Sequence, residues 1–250
     1  MPVLGVIPAR LNSRRLPRKP LQALAGVPLV VRVAQRVAAL ELLDELVVAT
    51  DAEEVASVVA EAGFRVVLTD PGHRSGTDRV AEVAAQVEFA RFDLVANLQG
   101  DEPFLPLGAL EGALARVRGG DEIGTAAAPL SREHAHDPDR VKVVTDRRGR
   151  ALYFSRAPIP CHRDEAGAGQ PRHWQHLGVY VFSRPALHRW TGLEPTELER
   201  FERLEQLRAL EHGMTIGVAR LGTPALPGVD TPDDLRRAEA HWHATPEVPA

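Results

Sequence analysis

The chain has 250 residues, 44% of them hydrophobic and 26% charged, with a formal net charge of −4. That balance suits an ordinary globular protein with a substantial core, and a pI near 6.2 excludes the broadly basic face of a general nucleic-acid binder. A single cysteine, Cys161, excludes an internal disulfide and a multi-cysteine zinc site; with no long apolar run and no signal-peptide pattern, we expect a cytoplasmic protein that does not engage a membrane.

Residues 3–9 (VLGVIPA) read as a strand that ends abruptly in a loop carrying Arg10, Arg14, Arg15, Arg18 and Lys19 and no acid. In a chain of net negative charge this positive charge is local. Open α/β sheets place their ligands at the carboxyl ends of strands, where fixed cations attract a polyphosphate. The loop has neither G-x-G-x-x-G nor G-x-x-x-x-G-K-[ST], so it is neither a dinucleotide fingerprint nor a Walker loop. Residues 28–40 have helical spacing, with Pro28 suited to a helix start. A strand is expected at 45–50, then a helix in DAEEVASVVAEAG with Asp51 and Glu54 in capping-box register and Gly63 as its stop. FRVVLT reads as a strand, followed by a helix over about 78–86 with Thr77 as its N-cap, a strand over 93–98 and a helix over 106–118. This alternation predicts a mostly parallel sheet covered by helices.

Past residue 120, IGTAAAPL, VKVVTD, ALYFS and HLGVYVF read as strands with few helices between them, a mixed-sheet extension over roughly 121–185 within a single domain spanning 1–250. Residues 161–174 are polar and glycine-rich and read as a mobile loop. Helices are expected at 184–191, 197–212 and 232–242, with a short strand, MTIGVA, between the last two and a frayed tail.

Three further segments carry candidate chemistry. In NLQGDEPF (97–104), Asp101 stands where a strand ends, a position from which a carboxylate holds a divalent cation over phosphates, while Gln99 and Gly100 offer an amide and an unhindered backbone; the same composition also suits a surface turn. In PGVDTPDDL (227–235), Thr231 fits an N-cap, Pro232 the first helical position, and Asp233 and Asp234 an acidic first turn, leaving Asp230 as a second metal-ligand candidate. In HRSGTDR (73–79), a small-residue turn precedes a helix and either meets a ligand through its backbone or is a plain capped turn. Taken singly, His176 on an apolar strand reads as packed, and the charges of LERFERLEQLRAL as a solvated helix face. Only two of the 30 basic residues are lysines, Lys19 and Lys142. A site that needs a compact ammonium would keep Lys, and for Lys142 function and chance stay equally open. No nucleophile pattern stands out; cations, carboxylates and backbone donors suit phosphoryl or nucleotidyl transfer.

Read together, IPAR-x4-RLP-x-KPL, ATD, H-x-SGT-x-R, QGDEP, VKVV, ALYFSRA-x-IP, HLG-x-Y, LEQLR and PGVDTP resemble the 3-deoxy-manno-octulosonate cytidylyltransferases over nearly the whole chain. The resemblance implies a Rossmann-like nucleotide-diphospho-sugar transferase fold of the α/β class. It implies transfer of CMP from CTP to the acidic sugar 3-deoxy-D-manno-octulosonate (Kdo), giving CMP-Kdo and pyrophosphate for lipopolysaccharide synthesis, with magnesium and as a homodimer. It implies that Arg10, Arg15 and Lys19 grip the triphosphate, with Pro8 and Ala9 beside the cytosine, Ser75, Gly76, Thr77 and Gln99 framing the nucleotide, and Asp101 and Asp230 binding magnesium. Arg156, His176, Tyr180, Glu205 and Gln206 would line the sugar pocket. Arg14 is left as a surface charge.

The chain departs from the family pattern at Arg18, where glycine is usual, at Arg74, where glutamine is common, and at Cys161, where an aromatic often stands. We expect Arg18 to add charge to the phosphate loop. Other acidic sugars, a sialic acid or an amino variant of Kdo, are the neighbouring alternatives, and a non-catalytic nucleotide-binding protein is the alternative of another class. The retained pair Asp101 and Asp230 argues against the last.

Overall fold

The apolar run Val3–Ala9 forms strand β1, buried along nearly its whole length as parallel strands covered on both faces are. The computed structural model describes residues 1–11, 13, 15–161 and 173–244, and these divide into two units: Met1–Leu105 joined by the segment from Leu226 onward, and Pro106–Ala225. Arg14, most of the loop expected to be mobile and most of the tail expected to fray lie outside the described residues.

In the first unit β1 is followed by a hairpin that pattern reading does not find, β2 (Ala23–Leu24) and β3 (Val27–Pro28), and then by α1 (Leu29–Ala38). Strands β4 (Glu45–Thr50), β5 (Arg65–Leu68) and β6 (Leu94–Asn97) alternate with α2 (Glu53–Glu61) and α3 (Gly76–Ala85). All four long strands are parallel in the order β6-β1-β4-β5, so β1 is central and its carboxyl end lies beside that of β6.

Two helix entrances differ from expectation. Ala52, not Asp51, is the N-cap of α2 and makes no side-chain cap; Asp51 instead accepts from the buried Arg79 at 3.0 Å. Helix α3 starts two residues early because Ser75, not Thr77, is its N-cap, in a full capping box with Asp78. The Ser75 and Asp78 amides are therefore committed to the cap rather than to a ligand.

The second unit opens with α4 (Leu107–Arg118), followed by β7 (Ile123–Leu130), β8 (Lys142–Thr145), β9 (Ala151–Ser155) and β10 (His173–Ser183). His173 and Trp174, expected in the loop, are paired strand residues. Next come α5 (Arg184–Thr191), α6 (Glu197–Glu202), α7 (Gln206–Glu211) and β11 (Ile216–Arg220). β7 pairs antiparallel with β10 and parallel with β11, while β8 joins β10 to β9, so this sheet is mixed as expected. The single helix expected over 197–212 is broken in two because Arg203 adopts a left-handed conformation, φ 52°, that stops α6. The chain ends in the first unit with α8 (Pro232–Ala244), entered through the expected Thr231 cap, with Asp234 completing the box.

Candidate active site

Three of the sequence motifs meet at Pro8, on the carboxyl edge of β1. A Cβ built on Gly100 would lie 3.0 Å from the Pro8 carbonyl oxygen, and one on Gly76 would lie 3.2 Å from the Pro8 ring. Both glycines thus permit a close approach that any side chain would push apart. Leu98 N–H donates to the Val6 carbonyl at 3.0 Å, so QGDEP leaves the sheet directly beside the cationic loop.

Asp230 reaches the same place by a different route. Val229 N–H donates to the Asp101 carbonyl at 2.8 Å, and the buried Val229 side chain sits in an apolar cluster with Leu16, Leu24, Leu29 and Ala238. One cluster therefore anchors the cationic loop through Leu16 and the Asp230 segment through Val229. Trp242 of α8 packs against it, with the Arg32 guanidinium 4.4 Å from its ring.

The Lys19 ammonium bridges the two carboxylates, donating to Asp101 and, at 2.9 Å, to Asp230. Arg15 pairs with the other oxygen of Asp230 at 2.8 Å. Burial by itself would lower the Lys19 pKa, but the charges of Asp101 and Asp230 outweigh it and hold the ammonium above the ordinary lysine value. A compact ammonium fits between two carboxylates where a guanidinium fork would not, which accounts for lysine at this position in an arginine-rich chain. Arg10 stands exposed at the end of β1. Arg18 overturns its expected part: it pairs with Glu54 of α2 rather than joining the phosphate loop, and its φ of 54° explains why glycine suits this position.

Among the described residues, no group of three or more His, Cys, Asp and Glu side chains gathers as a metal cluster. Two carboxylates bridged by one cation are the hard-oxygen donor set that suits magnesium, which takes the rest of its shell from phosphate and water.

The sugar-site candidates lie in the second unit. At the irregularity between Leu177 and Tyr180 in β10, Thr125 Oγ1 lies 2.7 Å from the Val179 carbonyl and 3.0 Å from His176 Nε2. Its one hydroxyl hydrogen goes to the carbonyl, so His176 Nε2–H is the donor to Thr125 and Nδ1 is left as an acceptor. Burial pushes the His176 imidazolium down to about 3, so the ring is neutral near pH 7 and serves as a hydrogen-bonding group rather than a base. Its neighbours are the Phe154 ring at 5.0 Å and the Tyr180 ring at 5.2 Å.

Trp190, which pattern reading passes over, ties two candidates together: its indole N–H donates to Glu205 at 3.0 Å and its ring lies 6.0 Å from Tyr180. Gln206, next to Glu205, is buried at the start of α7. Several charges of this segment are half-buried and paired rather than solvated, while Arg200 and Arg203 are exposed. Arg208 makes a two-pronged pair with Glu199 at 2.8 and 2.6 Å, and Glu202 accepts from Tyr153 and Ser155. Glu202 stands among charges that read as a solvated helix face, because its partners lie some fifty residues away in the chain. For Trp190 the signal was its rarity, as one of three tryptophans.

A parallel α/β unit that brings a cationic loop and two carboxylates to the carboxyl edge of adjacent strands defines a protein built for nucleotide phosphates and nucleotidyl transfer. Residues 4–216 match the family model described as Cytidylyltransferase. The chain is 54% identical over 245 residues to the 3-deoxy-manno-octulosonate cytidylyltransferase of Gemmatimonas aurantiaca, covering 97% of this chain and 95% of that one. It is 45% identical to the protein of the same name from Leptothrix cholodnii, over 95% and 90% of the two chains. Among solved structures it matches CMP:2-keto-3-deoxy-manno-octonic acid synthetase complexed with CTP, with a TM-score of 0.90, 36% identity, and coverage of 98% and 99%. The chain belongs to the cytidylyltransferase family and, within it, to the 3-deoxy-manno-octulosonate cytidylyltransferases.

Proposed function

We propose that this enzyme transfers CMP from CTP to the anomeric hydroxyl of Kdo, releasing pyrophosphate and supplying CMP-Kdo for lipopolysaccharide synthesis. The observation that carries the reading is the Lys19 bridge between Asp101 and Asp230, with Arg15 beside it. In-line displacement at the α-phosphorus needs positioning and charge neutralisation more than a protein nucleophile. Arg10, Arg15 and Lys19 stabilise the negative charge that develops on the departing pyrophosphate. Pro8 and Ala9, with Ser75, Gly76, Thr77 and Gln99, frame the nucleotide at the edge where β1 and β6 end. Asp101 and Asp230 would hold magnesium, whose chemistry when bound is to lower the pKa of the attacking hydroxyl and to neutralise phosphate charge. On the sugar side, Arg156 supplies a fork for the substrate carboxylate, neutral His176 accepts a hydrogen bond at Nδ1, and Tyr180, Glu205 and Gln206 contact the sugar's polar edge.

No helix among the described residues is long and apolar enough to cross a membrane, and the motif resemblance supports a cytoplasmic homodimer. The test is pyrophosphate release from each of the four nucleoside triphosphates with magnesium, with Kdo and then a sialic acid as acceptor. Turnover is expected with CTP and Kdo. Turnover with CTP and sialic acid alone would move the assignment to another acidic sugar, and failure with CTP and either acceptor would overturn it.

A further inference from the structure

Arg156, one residue past the end of β9, has its own peptide gripped by opposite charges. Lys142, fully buried on β8, donates to the Arg156 carbonyl at 2.6 Å and to the Asp137 carbonyl at 2.9 Å. Glu202, the last residue of α6, accepts from the Arg156 N–H at 2.8 Å while its other oxygen takes the Ser155 hydroxyl. The guanidinium is in turn bound to three backbone carbonyls: Nε to Glu202 at 2.8 Å, Nη1 to Pro138 at 2.9 Å and Nη2 to Arg203 at 3.4 Å. The left-handed turn at Arg203 is what presents the last of these. Of five guanidinium N–H groups, three are therefore used in hydrogen bonds, and the other two fall one on each terminal nitrogen, with the exposed Asp139 carboxylate 4.0 Å from Nη1, beyond hydrogen-bond distance. That is the donor pair a carboxylate engages with both oxygens.

Burying a lysine against carbonyls is a costly way merely to join α6 to the β8–β9 hairpin. Apolar packing would do that as well or better. Burial also draws the Lys142 pKa below the ordinary lysine value, as removing an ammonium from water does.

We propose that Lys142 and Glu202 are positioning residues that fix Arg156 so that its two remaining N–H groups meet the carboxylate of the acidic sugar. The inference rests on reading Arg156 as a sugar-site residue. It assigns the second of the chain's two lysines a role that arginine could not fill, because two carbonyls converge on one compact ammonium.

The test measures kcat and KM for Kdo and for CTP separately in Lys142→Met, Glu202→Gln and Arg156→Ala, with circular dichroism and urea unfolding as checks on the fold. Lys142→Met and Glu202→Gln are expected to raise the KM for Kdo about tenfold or more, as loss of hydrogen bonds to charged groups does, with the KM for CTP near its wild-type value. Both should also lose discrimination between Kdo and its carboxamide analogue. If Lys142→Met does not fold, the isosteric Glu202→Gln carries the comparison. A rise in the KM for Kdo in Arg156→Ala alone, or an equal rise for both substrates in the positioning variants, overturns the inference. An unchanged KM for Kdo in Arg156→Ala overturns the sugar-site reading of Arg156 and the inference with it.

Discussion

In the first unit charged side chains hold one another: Lys19 reaches Asp101 and Asp230, and Arg15 reaches Asp230. In the second unit the candidate side chains are held mostly by groups that carry no charge. His176 donates to a threonine hydroxyl, Glu205 accepts from an indole, and the Arg156 guanidinium is bound to carbonyls. Partners in an ion pair at a partly exposed edge can exchange one another for phosphate or a cation without backbone movement. Groups anchored to carbonyls and rings are oriented before a ligand arrives, which lowers the entropy lost on binding. On the function proposed above, the first arrangement would suit a charged ligand whose charge changes during reaction, and the second the recognition of one fixed shape.

The largest effect should come from breaking the charged half. Asp101→Asn or Asp230→Asn is expected to reduce kcat by about a thousandfold or more while leaving the circular dichroism spectrum unchanged, since each removes charge from the reaction centre but no core contact. Near-normal turnover in either variant would mean that the paired carboxylates are scaffold and that the contrast between the two units is false.

A smaller effect tests the neutral half through pH. His176 has a folded pKa of about 3 against an ordinary 6.5, so as pH falls below 6.5 the unfolded chain takes up a proton that the folded chain refuses. Its contribution is intact above that pH. Stability is then lost by about 1.4 kcal/mol per pH unit until the folded pKa is reached. Urea unfolding at about pH 7 and about pH 5 should therefore show a decline roughly 2 kcal/mol steeper in the wild type than in His176→Gln. Parallel declines would show that the ring is not held neutral.

The smallest effect concerns Arg18, the loop cation that turned away from the site. Arg18→Gly should be more stable to urea than Arg18→Ala by about 1 kcal/mol, because both lose the exposed pair with Glu54 but only glycine fits the left-handed backbone without strain. Equal stabilities would leave the family's usual glycine unexplained.

Much of the fold was legible in the sequence because apolar runs and helical spacing are local. Glu45–Thr50 and Arg184–Thr191 fall where expected to the residue, and the change from a parallel to a mixed sheet was visible as helices thinned out past residue 120. Expectation and structure part where two local solutions compete. Ser75 and Thr77 are both plausible caps, and Asp51 reads as a cap until the distant Arg79 claims its carboxylate. Nothing in LERFERLEQLRAL shows that Arg203 would take a left-handed conformation and divide the helix.

The site divides the same way. Pro8, Lys19, Ser75, Gly76, Asp101 and Asp230 stand in short motifs at strand and helix ends, because a phosphate site on an open sheet is assembled from loops that each carry their own chemistry. The supports of Arg156, His176 and Glu205 come from Lys142, Glu202, Thr125 and Trp190; beyond the rarity of lysine and tryptophan in this chain, nothing in their own segments shows which distant groups they hold.

By itself, then, the amino-acid sequence determined the α/β class, the local concentration of cations after β1 and the two separate motifs that carry Asp101 and Asp230, since each depends on residues close together in the chain. Only tertiary structure decided that Lys19 joins those carboxylates, that Arg18 does not belong with them, and that a buried lysine and a glutamate hold Arg156 by its own peptide. Those outcomes depend on which distant groups compete for the same hydrogen bonds, and that competition is settled only when the chain is folded.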